Sequence, residues 1–230
     1  MKKHAQRIVQ GGIDFFRAKE NRSDIQFEQC GGSPRTSFDV EAIPDGTRVT
    51  WIRGDVRQNA VIREPLGTFE CNYNAFTTGA ALARRLRLVN GARYLLVYNS
   101  GTKTIRIRRK PTSTENIRVI PDNTLNADLI GIGNGLKERL GYFLPERTAI
   151  SVRGGGAGKR LRVRTLEPGA DELFNYEIRL NPRNFGLFGL GNSAGNFIVS
   201  YNQVSRVLRF VRRTALRKKA KNATKARKEP

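Results

Sequence analysis

The chain contains an internal repeat, which constrains the fold because both copies must form the same supersecondary structure. The pair Tyr98-Asn99 and the basic stretch 102–109 recur 103 residues later as Tyr201-Asn202 and the stretch 205–212. Two upstream matches keep the same order, 86–91 with 188–195 and 50–54 with 150–154. The ordered series indicates a duplication rather than a chance likeness between two hairpins.

Each repeated unit has the pattern of short antiparallel strands. In the first unit, the apolar run 94–98 leads through Gly101 into the strand 102–108, which predicts a hairpin. The second unit supplies five similar runs, at 148–153, 160–165, 174–180, 196–201 and 206–212. We predict a mainly β fold with minor α, in which two related small barrel-like units form either one pseudo-symmetric barrel or two barrels.

The repeat sets the predicted limits of the domains: an N-terminal extension at 1–42, β unit 1 at 43–110, a connector at 111–144, β unit 2 at 145–213 and a basic tail at 214–230. We expect a helix at 4–20, interrupted by Gly11-Gly12, and then strands at 25–28 and 37–42. Two short helices are predicted at 78–86 and 136–142, because alanine and leucine favour helix while glycines at 131–135 oppose it.

The charge balance predicts a polyanionic partner. The chain has 42 Lys+Arg against 20 Asp+Glu, a formal net charge of +22, and the electric field of such a charge attracts nucleic acid of any sequence.

The apolar runs of the chain are far shorter than the roughly 20 residues of a membrane helix, so no membrane partner is expected. The first residues lack a secretory pattern, and we expect an intracellular protein of the cytoplasm or nucleoid, or alternatively of a virion. Cys30 and Cys71 are expected to be reduced thiols.

Two segments place arginines at alternate positions, 105–108 and 160–164. Successive strand side chains point to opposite faces, so these arginines are predicted to share one outer face; a merely solvated face is the alternative. The segment 212–230 has nine Lys/Arg and one Glu, which predicts an arm along phosphates or, alternatively, a solubilising tail.

Composition argues against catalysis. The single histidine, His4, lies near the N-terminus, which argues against a histidine nuclease or a Ser-His triad because each requires a positioned imidazole. The glycine-rich stretch 153–160 lacks the Walker spacing and predicts a hairpin tip, and 131–135 lacks the dinucleotide spacing. Asp39 and Glu41 are the candidates for a metal-dependent nuclease, yet the acids are scattered. We therefore expect no enzyme, no metal and no cofactor. Five aromatic residues suit the core better than base stacking: Trp51, Phe76, Tyr98, Phe174 and Tyr201.

The stretch 80–88, with its double arginine and Leu-x-Leu, is followed by Gly91, an apolar strand ending in Tyr98 and a basic strand at 102–108. This order resembles the AbrB and MraZ family of swapped-hairpin β-barrels, with a weaker echo at 180–212. The resemblance implies that two units interleave into one barrel and regulate transcription by contacting duplex DNA. It also implies contacts by Arg84, Arg85 and Arg87, with Arg183 as the nearest equivalent. The arginine and proline that usually enter the family's helix are absent here.

These observations predict a non-catalytic nucleic-acid-binding protein, with duplex DNA preferred over RNA, that acts as a transcriptional regulator or architectural factor. A homo-oligomer or a larger assembly is compatible with this prediction, and the resemblance implies a pseudo-dimer made by one duplicated chain. The alternatives are an RNA-binding component of a ribonucleoprotein, such as a ribosomal protein, and a virion protein that contacts the genome. The predicted contact residues are Arg84, Arg85, Arg87, Arg106, Arg108, Arg109, Lys110, Lys159, Arg160, Arg162, Arg164, Arg183, Arg209, Arg212, Arg213, Arg217, Lys218, Lys219 and Lys221.

Overall fold

A computed structural model describes residues 7–64, 67–141, 146–170 and 172–211. These residues form two compact units. The elements of unit 1 are β1 (Ile8–Arg17), β2 (Ile25–Cys30), a 3-10 turn (Val40–Ala42), β3 (Arg48–Arg53), β4 (Val56–Arg63), β5 (Thr68–Phe69), β6 (Ala75–Thr78), α1 (Ala80–Arg85), β7 (Ala92–Asn99) and β8 (Thr104–Arg109). The elements of unit 2 are β9 (Thr112–Pro121), β10 (Leu129–Gly133), α2 (Asn134–Leu140), β11 (Ala149–Gly154), β12 (Ala157–Leu166), β13 (Ile178–Leu180), α3 (Pro182–Leu187), β14 (Gly195–Asn202) and β15 (Val207–Val211).

Each unit closes its own barrel. In unit 1 the strands pair in the ring β1-β7-β8-β3-β4-β2-β6 and back to β1, with β5 added beside β2. In unit 2 the ring is β9-β14-β15-β11-β12-β10-β13 and back to β9. The two rings match strand for strand. In each, the first strand pairs in parallel with a strand that directly precedes a helix: β1 with β6 before α1, and β9 with β13 before α3. The mainly β, doubled-barrel prediction is confirmed.

The pairing also shows where the sequence-based arrangement differs. The resemblance implies that two units interleave into one barrel, whereas each of these rings uses strands of its own unit only. The predicted extension 1–42 contains β1 and β2, and the predicted connector 111–144 contains β9, β10 and α2. These strands show little repeat in sequence, because a strand closes a ring through backbone hydrogen bonds that most side chains permit.

The helix predicted at 4–20 is wrong, because β1 occupies Ile8–Arg17. Ile13 and Phe15 alternate into the core, and Gly11 lets another backbone segment approach, since a Cβ there would lie 2.4 Å from the Cα of Phe38. The strand predicted at 37–42 is also wrong, because a 3-10 turn forms at Val40–Ala42. The run 174–180 is strand only at Ile178–Leu180.

The other local predictions hold more closely. Helix α1 lies within the predicted 78–86, and α2 begins two residues before the predicted 136 and ends at Leu140. The predicted hairpin of unit 1 is β7 paired with β8. The glycine-rich stretch forms the turn between β11 and β12, where Gly155 and Gly156 take φ values of 55° and 86°.

Each barrel has its own apolar core. Trp51 stacks on Phe76 with ring centroids 5.4 Å apart, and Tyr98 and Tyr201 are buried at equivalent positions of the two hairpins. Burial raises the pKa of Tyr201 to about 12. The preference for a core role is confirmed for these four residues, whereas Phe174 is only half-buried beside Tyr176.

The expectation of two reduced thiols is wrong, because Cys30 and Cys71 form a disulfide. Strand β2 ends at Cys30, which pairs with Phe69 of β5, and this register brings the two cysteine Cα atoms within 4.8 Å. Cysteine counts do not reveal such a contact, because the two residues are 41 positions apart in the sequence.

Candidate nucleic-acid interface

Unit 2 carries exposed arginines on three adjacent strands, β12, β11 and β15. Leu161, Val163 and Leu208 alternate into the core, so the residues between them point outwards. Arg153 and Arg209 are neighbours across the parallel pair β11–β15, and Arg160 lies opposite Ser151. We call the following exposed residues the arginine face of unit 2: Arg153, Arg160, Arg164 and Arg209.

None of these four arginines forms an ion pair with a carboxylate of the described residues. The acids that do form pairs lie elsewhere on the barrel: Glu177 pairs with Arg118 at 3.8 Å and with Arg179 at 3.3 Å. The predicted contact Arg162 is an exception on β12, because its guanidinium binds Asp128 and lowers the pKa of that carboxyl. The cationic groups of the arginine face therefore remain available to a ligand.

The equivalent strands of unit 1, β4, β3 and β8, carry a similar face. Arg106 lies beside Ile52 of β3, and Ile52 lies opposite Arg57 of β4. Nearby acids are engaged by other residues, since Asp45 pairs with Arg63 and Asp55 with Arg87. The arginine face of unit 1 consists of four exposed residues without an ion pair among the described residues: Arg48, Arg57, Arg106 and Arg108.

The two faces occupy the same strands, but most of their arginines are at different positions. Register equates Trp51 with Val152, because each pairs with the equivalent residue of β8 or β15. Only Arg106 and Arg209 then coincide; Arg153 stands at the place of Ile52, and Arg160 at the place of Asn59. The same surface is thus basic in both copies, although the individual residues have diverged.

Three of the residues predicted to contact nucleic acid interact with other parts of the protein instead. The guanidinium of Arg109 is half-buried and lies 5.6 Å from the ring centroid of Tyr94. Lys159 Nζ donates hydrogen bonds to Ala127 O at 2.7 Å and to Asn184 Oδ1 at 3.1 Å. Lys110 is half-buried at the end of β8, where its backbone N donates to Arg93 O. Of the predicted strand arginines, Arg106, Arg108, Arg160, Arg164 and Arg209 belong to the two arginine faces.

The helix arginines that the family resemblance implies as DNA contacts are exposed, but the second unit does not repeat them at equivalent positions. Arg84 and Arg85 lie on α1, and Arg85 lines a hollow of about 300 Å³ together with Arg22 and Asn59. Arg183 is exposed on α3, but the helix caps equate it with Ala81 rather than with Arg84. The correspondence of 86–88 with 188–190 does hold, since Leu88 N bonds to Ala83 O and Leu190 N to Phe185 O.

Sequence reasoning missed Arg48, Arg57 and Arg153. The alternation that would reveal Arg57 is broken on β4 by Asn59 and Val61, and Arg153 ends the predicted run 148–153 without a second arginine at an alternate position. The remaining predicted contacts lie outside the described residues: Arg212, Arg213, Arg217, Lys218, Lys219 and Lys221.

A basic residue stands at the tip of the repeated hairpin in each unit. Lys103 and Arg206 have φ values of 51° and 53°, in the left-handed region that usually favours glycine. Both are exposed, and their carbonyls accept from Thr50 N and Ser151 N, so each tip lies beside its arginine face. A cationic side chain is therefore kept in both copies at a conformational cost.

We expect Lys103→Gly to stabilise unit 1 by about 0.5–1 kcal/mol, because glycine relieves the left-handed strain. On the sequence-based expectation of DNA binding, the same variant should bind duplex DNA more weakly, since a cation beside the arginine face is lost. Urea unfolding followed by the fluorescence of Trp51, the single tryptophan, measures the first effect, and fluorescence anisotropy with labelled duplex measures the second. Lys103→Ala is the control: it removes the same charge without relieving strain. Unchanged affinity in both variants would exclude the tip from the interface.

The described residues contain no group of three His, Cys, Asp or Glu side chains that could hold a metal ion. No helix in the same part of the chain has the length and apolarity needed to cross a bilayer. Comparisons with protein-family models, with curated proteins and with solved structures found no match.

Proposed function

We propose that this protein is a non-catalytic nucleic-acid-binding protein that holds duplex DNA on its two arginine faces, as a transcriptional regulator or architectural factor. The observation that carries the proposal is a cluster of unpaired charge: each barrel has four exposed arginines without an ion pair on the same three strands, and the ion pairs among the described residues join carboxylates to other cations. Arginines of this kind neutralise phosphates and release counterions.

The distribution of charge along the chain supports the proposal. The residues of unit 1, 1–111, have twenty Lys/Arg and ten Asp/Glu, and the segment 212–230 has nine Lys/Arg and one Glu. Surface charge of this density attracts a phosphate polymer from a distance. Contacts to phosphates fix position without reading sequence, so we expect sequence preference to come from Arg84 and Arg85, as the family resemblance implies.

The test is the salt dependence of duplex binding. The logarithm of the affinity should fall linearly with the logarithm of salt concentration, with a slope of about −0.9 per phosphate contact. Replacing the four arginines of the unit 2 face by Gln should make the slope less steep by up to about 3.6. Fluorescence anisotropy with a labelled duplex at several salt concentrations measures both slopes.

The matched control removes the same charge from ion-paired arginines. This variant replaces by Gln the residues Arg7, Arg63, Arg118 and Arg162, each of which pairs with a carboxylate. It has the same net charge as the face variant, so equal slopes for the two would mean that net charge alone drives binding and that the faces are not the interface. RNA that outcompetes duplex DNA at every salt concentration would replace the DNA assignment by an RNA one.

A further inference from the structure

An aromatic hollow opens at the mouth of the unit 2 barrel, beside the arginine face. It has a volume of about 410 Å³ and is lined by Gly155, Phe188, Gly189, Leu190, Phe197 and Phe210. The ring centroids of Phe188 and Phe197 lie 6.0 and 6.4 Å from that of Phe210. Phe197 is half-buried, so a ligand can reach its ring.

The equivalent place in unit 1 is filled by a flat cationic group. Register and the helix caps equate Tyr94 with Phe197 and Arg53 with Gly154. The guanidinium of Arg53 lies 5.3 Å from the ring centroid of Tyr94 and donates to Leu86 O at 2.7 Å. Unit 1 thus holds a planar cationic group near an aromatic ring at the place where unit 2 has the hollow.

Unit 2 cannot close its mouth from the same position. A Cβ at Gly154 would lie 2.8 Å from Phe188 O, so the close approach of β11 to the end of α3 excludes a side chain there. The three phenylalanines therefore line an open hollow at a place where the sister barrel holds a planar group.

The neighbouring residues indicate what the hollow binds. Arg153 and Arg209 are neighbours across β11–β15 on the outer surface of the barrel. The next residue of β15, Phe210, points to the inside and lines the hollow, so the arginines and the hollow lie on the two sides of the barrel wall near the ends of these strands. A ligand that fits both features has a flat ring for the phenylalanines and an adjacent anion for the arginines. An unpaired nucleotide has this combination, because its base stacks on aromatic side chains while its phosphates bind cations.

We infer that the hollow of unit 2 binds an unpaired nucleobase of the nucleic acid whose phosphates lie on the arginine face. This inference rests on the proposed function and narrows its ligand to DNA with an unpaired or extruded base. Extruding a base costs least where it is already unpaired, so the protein should favour such sites over fully paired duplex.

The experiment compares labelled duplexes that differ only by one bulged adenine. The wild-type protein should bind the bulged duplex about tenfold more tightly than the paired one. Replacing the bulged adenine by an abasic linker should remove the preference, and this arm does not depend on the folding of any variant. Phe197→Leu should also remove it, whereas Phe197→Tyr, the residue that unit 1 has, should keep it. Phe174→Leu, a half-buried aromatic outside the hollow, is the matched control.

The outcomes separate this inference from the proposed function. Equal affinity for bulged, abasic and paired duplexes would overturn the base pocket, and it would leave the DNA-binding proposal standing if the arginine-face variant still changes the salt slope. A preference for the bulge that survives both the abasic linker and Phe197→Leu would also overturn it, because bending at the bulge would then account for the preference. Salt-independent binding would instead refute the proposed function.

Discussion

Asp14→Ala should lower the free energy of unfolding of unit 1 by about 3–5 kcal/mol, because it leaves a buried guanidinium without its counter-charge. Asp14 accepts two hydrogen bonds of 2.8 Å from Arg93, one to each carboxylate oxygen. The side chains are 3% and 1% exposed, and the ring of Tyr73 lies over the guanidinium at 3.4 Å. Bulk water therefore has no direct access to the guanidinium.

Trp51 makes this effect measurable in one unit alone. It is the single tryptophan and is fully buried in the core of unit 1, so urea unfolding followed by its fluorescence reports on that barrel. The control is Asp39→Ala, which breaks an exposed pair with Arg7 and should cost less than about 1 kcal/mol. A cost below about 1 kcal/mol for Asp14→Ala as well would contradict the burial of the pair.

The double variant Asp14→Leu with Arg93→Met distinguishes the cost of an unpaired charge from the value of the pair. A buried ion pair replaced by apolar side chains of similar volume often loses little stability. We therefore expect the double variant to be more stable than Asp14→Ala. In unit 2 the equivalent positions hold Arg118 and Asn196, which are exposed, so the ion pair is a feature of unit 1 and not of the repeated fold.

The sequence was informative where local pattern determines structure. The alternation of Ile105 and Ile107 with Arg106 and Arg108 predicts both the core and the exposed face, because strand side chains alternate whatever the strand pairs with. The repeated hairpin was likewise visible, because its turn and apolar positions are constrained in both copies.

The sequence was least informative about which distant residues meet. Whether an exposed arginine is neutralised depends on an acid from another strand or loop, as Arg162 with Asp128 shows. Lys159 had the appearance of a phosphate ligand, yet its ammonium binds the carbonyl of Ala127. The aromatic hollow could not be predicted either. It becomes apparent only when strand register shows that Gly154 of unit 2 is equivalent to Arg53 of unit 1.

The disulfide should contribute comparably to the buried pair, and it acts on the same region. Cys30 and Cys71 are separated by 41 residues, and closing a loop of that length in the unfolded chain stabilises the folded state by about 4 kcal/mol. Asn74 Nδ2 donates to Phe38 O and Cys30 N donates to Asn74 Oδ1, so the segments that the disulfide joins also bond to each other.

Both dithiothreitol and Cys71→Ser should therefore shift the Trp51 unfolding curve to lower urea, by similar amounts. Dithiothreitol should have no further effect on Cys71→Ser, which is the control for effects of the reductant itself. A full shift with dithiothreitol in the Cys71→Ser variant, or none in the wild type, would contradict a structural role for the bond.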